Sequence, residues 1–244
     1  MVQPRALPQA DLDLLRRFDT PTICNVIELF DIRPRTAGYM DGRIRACFPE
    51  MPPMLGYATT ATFRSAALPR SGDVYSGIEQ QIAAMQQIPG PHAVVFQDLD
   101  DPPAAATFGE VMCATYKGFG CTGIITSGAG RDLDQVRALG FPAFTGGTIC
   151  SHGYCHVLAL NVAVHVGGVT VHPGDLLHAD VNGVTTIPNE YASAIAQASA
   201  EFMAAEAVVL DYLRAGTPDL AEYKKAREEL VRRVKLLGDK VRRK

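Results

Sequence analysis

A chain of 244 residues, 47% hydrophobic and 20% charged, can bury a sizeable core without disulfide or metal staples. A net charge of -3 excludes a protein that coats nucleic acid, and no run approaches the ~20 uncharged apolar residues of a membrane span. Six scattered cysteines with no Cys-x-x-Cys pair suggest no disulfide framework, and the first eighteen residues lack the apolar stretch of a secretory leader, so a reducing cytoplasm is the expectation.

The first thirty residues read as helical. Asp11, Leu12, Leu14, Leu15 and Phe18 give one amphipathic spacing. Thr20-Pro21-Thr22 then opens a second helix through Cys24, Val26, Ile27 and Leu29, with Thr20 as the expected N-cap and Pro21 at the first helical position. Residues 33–53 are punctuated by Gly and Pro. GYATTATFRS, rich in β-branched residues, reads as a strand, and residues 77–88 read as a helix.

The middle is the most regular part. HAVVFQDL at 92–99 is a strand, GEVMCATYKG a helix and CTGIITS a strand. The loop GAGRDLD, a short helix around DQVRAL and a strand at FPAFTG follow. That alternation is the pattern of βαβ units with parallel pairing. After Gly153 the chain alternates polar and apolar residues between turn pairs, which predicts antiparallel hairpins. From Asn189 onward it reads as helical, broken near Gly216-Thr217-Pro218. The expected architecture is one α/β domain over 1–244, with its core at about 15–190 and a C-terminal helical extension at 191–244.

That extension carries most of the charge asymmetry. Residues 221–244 hold ten Lys/Arg against four Asp/Glu, a local +6 that leaves -9 on the rest. Tyr223 is the single aromatic there, so base stacking has no support, and the run reads as a solvated helix face. Neither a nucleic acid nor a membrane is an expected partner.

Gly128-Ala129-Gly130-Arg131-Asp132 stands where open α/β sheets place ligands, after an apolar strand and before a helix. An adjacent Arg and Asp offer a cation for a carboxylate and an oxygen ligand for a hard metal ion. Glu110 lies before Arg131 with twenty residues between them, the length of one helix plus one strand, so a βαβ path should bring Glu110 to Arg131 and Asp132. The N–H groups of Gly109, Glu110, Val111 and Met112 would sit at a helix N-terminus, a ready anion site. Plain structural roles fit the same residues: Asp132 capping the next helix, Arg131 solvated, Glu110 an ordinary first-turn acid. Among rival clusters, Cys150-Ser-His-Gly-Tyr-Cys155-His156 lacks a second zinc knuckle, and Asp98, Asp100 and Asp101 read as a solvated turn. There is no Walker loop, GxSxG or dinucleotide fingerprint.

Gly109-Glu110, then Arg131-Asp132-Leu-Asp134, Gly140-Phe141-Pro142 and Phe144 resemble the regulator of ribonuclease activity A (RraA-like) family. Gly167-Gly168, Val171, Pro173-Gly174-Asp175, Ala179-Asp180, Gly183-Val184 and Ile187-Pro188 resemble the same family's later hairpins. The family includes the class II 4-hydroxy-4-methyl-2-oxoglutarate (4-carboxy-4-hydroxy-2-oxoadipate) aldolases. The resemblance implies a swivelling β/β/α fold and a homotrimer or homohexamer with sites between subunits. It implies magnesium or manganese on Asp132, Arg131 holding the pyruvate moiety, and Glu110 touching a water of the metal. Backbone N–H groups from Gly109 to Met112 would meet the substrate carboxylate. The implied reaction is retro-aldol cleavage of a 4-hydroxy-2-oxo acid to pyruvate, with oxaloacetate decarboxylation beside it.

The chain departs from the family pattern at Asn25, where many members carry Asp, and at the Pro-rich approach 102–108. An acid borrowed from a neighbouring subunit would come from Glu190, Glu201 or Glu206, and His152, in a Ser-His-Gly-Tyr turn, would either face the site or serve as a plain turn residue. The competing expectation is a non-catalytic regulator that binds a ribonuclease. The long helical C-terminus favours the enzyme, and nothing resembles a methyl-donor site.

Overall fold

The computed structural model describes residues 6–74 and 77–243. In chain order the elements begin with α1 (Gln9–Leu15), α2 (Thr20–Phe30), β1 (Arg45–Ala46), β2 (Met54–Arg64), α3 (Ile78–Met85), β3 (His92–Asp98) and β4 (Ala106–Phe108). Then come α4 (Glu110–Gly118), β5 (Cys121–Thr126), β6 (Ala129–Gly130), α5 (Leu133–Ala138), β7 (Ala143–Thr145) and β8 (Gly147–Thr148). The remainder is β9 (His156–Leu160), β10 (Val164–Val166), β11 (Val169–Val171), β12 (Leu176–Asp180), β13 (Gly183–Ile187), a 3-10 turn at Asn189–Tyr191, α6 (Ala192–Arg214) and α7 (Leu220–Arg242). The chain divides into two compact units: residues 37–189, and residues 7–36 together with 190–244.

The first unit is built on a mixed sheet in the order β1-β7-β5-β3-β2-β12-β13, with β9 also pairing with β2. β2, β3, β5 and β7 pair in parallel, as the βαβ reading requires. β2 is long enough to serve three neighbours. Its first residues pair with β12, its last with β9, and its other edge with β3. The β10–β11 and β12–β13 pairs are the expected antiparallel hairpins.

Strand periodicity sorts the core onto the two faces of this sheet. Val94 and Phe96 pack in one cluster with Phe63, Phe108, Met112 and Tyr116. Ala93 and Val95 pack in the other with Ile125, Phe144 and Leu177. Both faces are covered, so β3 carries an apolar run at 93–96 without polar alternation, as buried parallel strands do. The fully buried Tyr116 donates its hydroxyl to Gln81 Oε1 at 2.6 Å, which offsets the cost of burying it.

The second unit is helical. The α2 cap is Asp19, whose carboxylate accepts the Thr22 N–H at 2.8 Å; Thr20 is already inside the helix. An acidic side chain one residue earlier takes the position expected for the Thr20 hydroxyl, and it also complements the helix dipole. Asp219 caps α7 through the N–H groups of Ala221 and Glu222. The helix Asn189–Arg214 is long and apolar enough to cross a membrane by length and composition alone. Its apolar residues Ile195, Ala196, Ala198, Phe202 and Ala205 form its buried face.

Candidate active site

Three short strands, β4, β6 and β8, form a separate parallel sheet of their own. Its register places Phe108 opposite Gly130. The residues that follow, Gly109-Glu110 and Arg131-Asp132, therefore emerge side by side. The Arg131 N–H donates to the Phe108 carbonyl at 3.0 Å and fixes that juncture.

Asp132 resolves between capping and binding. It stands at the N-cap of α5, yet its side chain makes no capping hydrogen bond there. Its Oδ2 instead accepts the backbone N–H of Glu110, at the first turn of α4, at 3.1 Å. Arg131 Nε lies 3.7 Å from the same oxygen. Asp132 holds φ 54 and ψ 40, the left-handed region, which costs a non-glycine residue about 1–2 kcal/mol. The strain aims its carboxylate across the strand ends.

Gly109 is dictated by space rather than conformation. Its φ of -152 suits any residue, but a Cβ there would stand 2.5 Å from Asp132 Oδ2 and 3.1 Å from Arg131 Nε. The backbone before α4 and the Arg–Asp pair close to contact only because that atom is missing.

Gly109, Val111, Met112, Arg131 and Asp132 line one cleft of about 290 Å³. Arg131 and Asp132 are half-buried there. The Glu110 side chain is exposed and does not line the cleft; what reaches Asp132 is its main chain. The N–H groups of Val111 and Met112 lie in the first turn of α4, where a helix has no carbonyl a turn earlier to bond, at the positive end of the helix dipole where an anion is favoured. His152 lines the same cleft, its Nδ1–H donating to the Gly153 carbonyl at 2.9 Å.

Ala106, Thr107 and Phe108 of the Pro-rich approach, with Ile78, Thr115 and Cys155, which the sequence reading did not place at this site, complete the wall. Thr115 follows Val111 by four residues and was legible from helix periodicity. Ile78 and Cys155 come from distant elements and carry no sequence signal.

Asp98, at the carboxyl end of β3, departs from the expected solvated turn: it is only 9% exposed. Oδ1 accepts the Asp100 N–H at 3.0 Å, while Oδ2 has no hydrogen-bond partner among the described residues. Burial pushes its pKa up to about 6, with the neighbouring Asp100 charge adding to the rise. Asp100 itself accepts the N–H groups of Ser65 and Ala66 and pairs with Arg64 at 3.3 Å. A Cβ on Gly128 would stand 2.6 Å from Asp98 Oδ2, so this glycine also allows a close approach.

Among the described residues no group of three or more His, Cys, Asp or Glu could hold a metal. Cys150 is exposed and Cys155 buried, so the thiols and imidazoles of 150–156 do not gather. One carboxylate with open space beside it fits a mostly hydrated, oxygen-seeking ion such as magnesium, and does not fit zinc. Glu201 pairs with Lys240 in the helical unit, Glu190 is exposed, and burial with the Asp19 charge raises the Glu206 pKa.

The chain resembles known proteins in both sequence and fold. It is 32% identical over 120 residues to a protein of Halalkalibacterium halodurans named "Putative 4-hydroxy-4-methyl-2-oxoglutarate aldolase", an alignment covering 49% of this chain and 57% of that protein. The chain spans about half the length of curated relatives that bear this name. Streptomyces coelicolor RraAS2, described as an unusual member of the RNase ES inhibitor RraA protein family, superposes with a TM-score of 0.62 and 26% identity, covering 80% of this chain and 94% of that one. An uncharacterized protein from Pseudomonas syringae superposes with a TM-score of 0.72 over 93% of this chain and 97% of its own, and at 19% identity shows the fold alone. The α/β fold expected from the motifs, with helices at both termini, is the fold observed. A family model described as RraA-like, Aldolase/RraA, matches residues 20–186, more than half of the sequence, and the chain belongs to that family.

Proposed function

We propose that this protein is a divalent-metal-dependent lyase that cleaves a 4-hydroxy-2-oxo acid to pyruvate and a second oxo compound. The observation that carries the reading is the meeting of the Glu110 N–H, the Asp132 carboxylate and the Arg131 guanidinium at 3.1 and 3.7 Å on one cleft. The aldolase name of the Halalkalibacterium halodurans relative supports it.

Magnesium or manganese held by Asp132, with water in its other positions, would supply Lewis-acid stabilisation of an enolate. The chain's own residues do the rest. The substrate carboxylate seats on the Val111 and Met112 N–H groups, where the α4 dipole favours negative charge. Arg131 lies beside the 2-oxo oxygen and provides a preorganised cation where charge develops. The C4 hydroxyl gives its proton to a water in the cleft, the C3–C4 bond breaks, and C4 becomes a carbonyl. The electron pair passes into the pyruvate enolate, which takes a proton at C3 to give pyruvate. Oxaloacetate decarboxylation reaches the same enolate and is the expected side activity. The working assembly is a cytoplasmic homotrimer or homohexamer with no nucleic-acid or membrane partner.

The second reading is a non-catalytic regulator that binds a ribonuclease or another protein, favoured by the fold shared with RraAS2. The deciding assay measures pyruvate release from oxaloacetate and a panel of 4-hydroxy-2-oxo acids with magnesium or manganese. Arg131→Ala should lose on the order of 10²–10³ in rate, as for one lost oxyanion donor. No pyruvate above the variant's background from any substrate leaves the regulatory reading in place.

A further inference from the structure

The turn that carries His152 is pinned on two sides. The Ala106 N–H, in β4, donates to the Ser151 carbonyl at 2.8 Å, and the Tyr154 N–H donates to the Ser65 carbonyl at 2.9 Å. Gly153 completes the turn at φ 53, where a Cβ would stand 2.7 Å from that same Ser65 oxygen and 3.0 Å from the Ala105 Cβ. Glycine accepts both the angle and the space. The His152 carbonyl accepts the Cys155 N–H at 3.1 Å, and the ring is held by its Nδ1–H on the Gly153 carbonyl at 2.9 Å. With Nδ1 spent on the backbone, any bond from the ring to a ligand runs through Nε2.

Arg131 and His152 are the cleft-lining residues that can carry positive charge. Arg131 lies 3.7 Å from Asp132 Oδ2 and serves the 2-oxo oxygen in the lyase reading. The His152 turn meets β4 at Ala106, two residues before Phe108, whose carbonyl receives the Arg131 N–H. Two residues of strand span about 7 Å. A five-carbon 2-oxo diacid separates its carboxyl carbons by four C–C bonds, about 5 Å when extended. With one carboxylate at the Arg131 end, its other carboxylate reaches toward the 151–155 turn. The cleft does not strip that group of water, since Val111 on its edge is 79% exposed. Desolvation therefore costs little against a charge-assisted hydrogen bond.

Resting on the lyase reading above, we propose that His152 receives the second carboxylate of the substrate through Nε2–H, and that the substrates of this chain are 2-oxo acids bearing a carboxylate on C4. His152 is then a specificity-determining residue, because it binds a part of the substrate that does not react. Its worth is that of one hydrogen bond to a charged group, roughly tenfold or more in affinity.

The test compares 4-hydroxy-2-oxoglutarate with 4-hydroxy-2-oxopentanoate, in which a methyl group replaces the second carboxylate, both with magnesium. The parent should show kcat/KM at least ~10-fold higher for the diacid, carried by KM. His152→Leu should erase that ratio to within about twofold. His152→Lys, which restores a cation but not the bond to Gly153, should recover most of it. A role confined to holding the turn would lower both substrates together and leave the ratio standing. A parent with no preference for the diacid overturns the proposal, and so does a preference undiminished in His152→Leu.

Two readouts separate this proposal from the lyase reading. Calorimetric binding of 2-oxoglutarate against 2-oxopentanoate, which lack the C4 hydroxyl, reports the second carboxylate without turnover. It needs no variant, so it stands even where His152→Leu fails to fold, and equal binding of the two counts against His152. Deuterium exchange into the methyl group of pyruvate reports enolate formation with no second carboxylate present. Exchange without a diacid preference removes the His152 assignment alone. Tighter binding of 2-oxoglutarate that His152→Leu loses and His152→Lys keeps, with no exchange, retains the carboxylate site and removes the lyase.

Discussion

The backbone N–H of Glu110 and the carboxylate of Asp132 meet at 3.1 Å across 22 residues of sequence. An aspartate at the start of α5 thus satisfies an orphan donor at the start of α4, and the two helix N-termini share one charge. Held this way in a strained conformation, Asp132 has its orientation set before any ligand arrives.

Two substitutions separate the charge of Asp132 from its hydrogen bond. Asp132→Asn keeps an acceptor for Glu110, so denaturant stability should stay within about 1 kcal/mol of the parent. Metal-dependent pyruvate release should nevertheless fall to background. Asn-level activity equal to the parent, with or without EDTA, would remove the metal from Asp132.

Gly109→Ala tests the close approach. Alanine accepts the backbone angles, so the damage should come from its methyl group displacing Asp132 Oδ2 and Arg131 Nε. Turnover should drop by on the order of 10²-fold, as when a catalytic donor is misplaced. The thermal midpoint should move far less than for a core truncation. Unchanged turnover would mean that the pair tolerates displacement.

Asp98 predicts a pH dependence of stability. Its folded pKa is raised to about 6 by burial, against 3.8 ordinarily, so the folded chain holds a proton that the unfolded chain releases. Its favourable contribution is complete below about pH 4, is lost as pH rises through about 6, and stays lost above. Asp98→Asn should therefore stabilise the protein at pH 7.5 by up to about 3 kcal/mol and give no gain at pH 4. Urea midpoints of the two proteins across that range decide it. Parallel curves would show that Asp98 does not titrate in this window.

Assembly is the fourth expectation. Light scattering at micromolar concentration should give a trimer or hexamer. Among Glu190→Gln, Glu201→Gln and Glu206→Gln, one should lose activity if a neighbouring subunit lends an acid. A monomer with full activity would contradict both.

The local structure of this protein was legible in its sequence. The βαβ alternation from His92 to Gly146, the hairpins after Gly153 and the helices at both ends follow from periodicity and turn residues, which act over a few positions. The approach of Glu110 to Arg131 and Asp132 followed from the length of one crossover. Tertiary structure decided how that approach is used. Glu110 supplies its main chain rather than its carboxylate to Asp132, and Asp132 turns away from its own helix, because the register of β4 and β6 sets those atoms within reach. It also decided that Asp98 is buried, since the closeness of Gly128 to its carboxylate depends on how β3 and β5 pack. Two residues of the cleft wall were invisible beforehand. Ile78 and Cys155 lie more than seventy residues apart, and only the folded chain brings their side chains to α4.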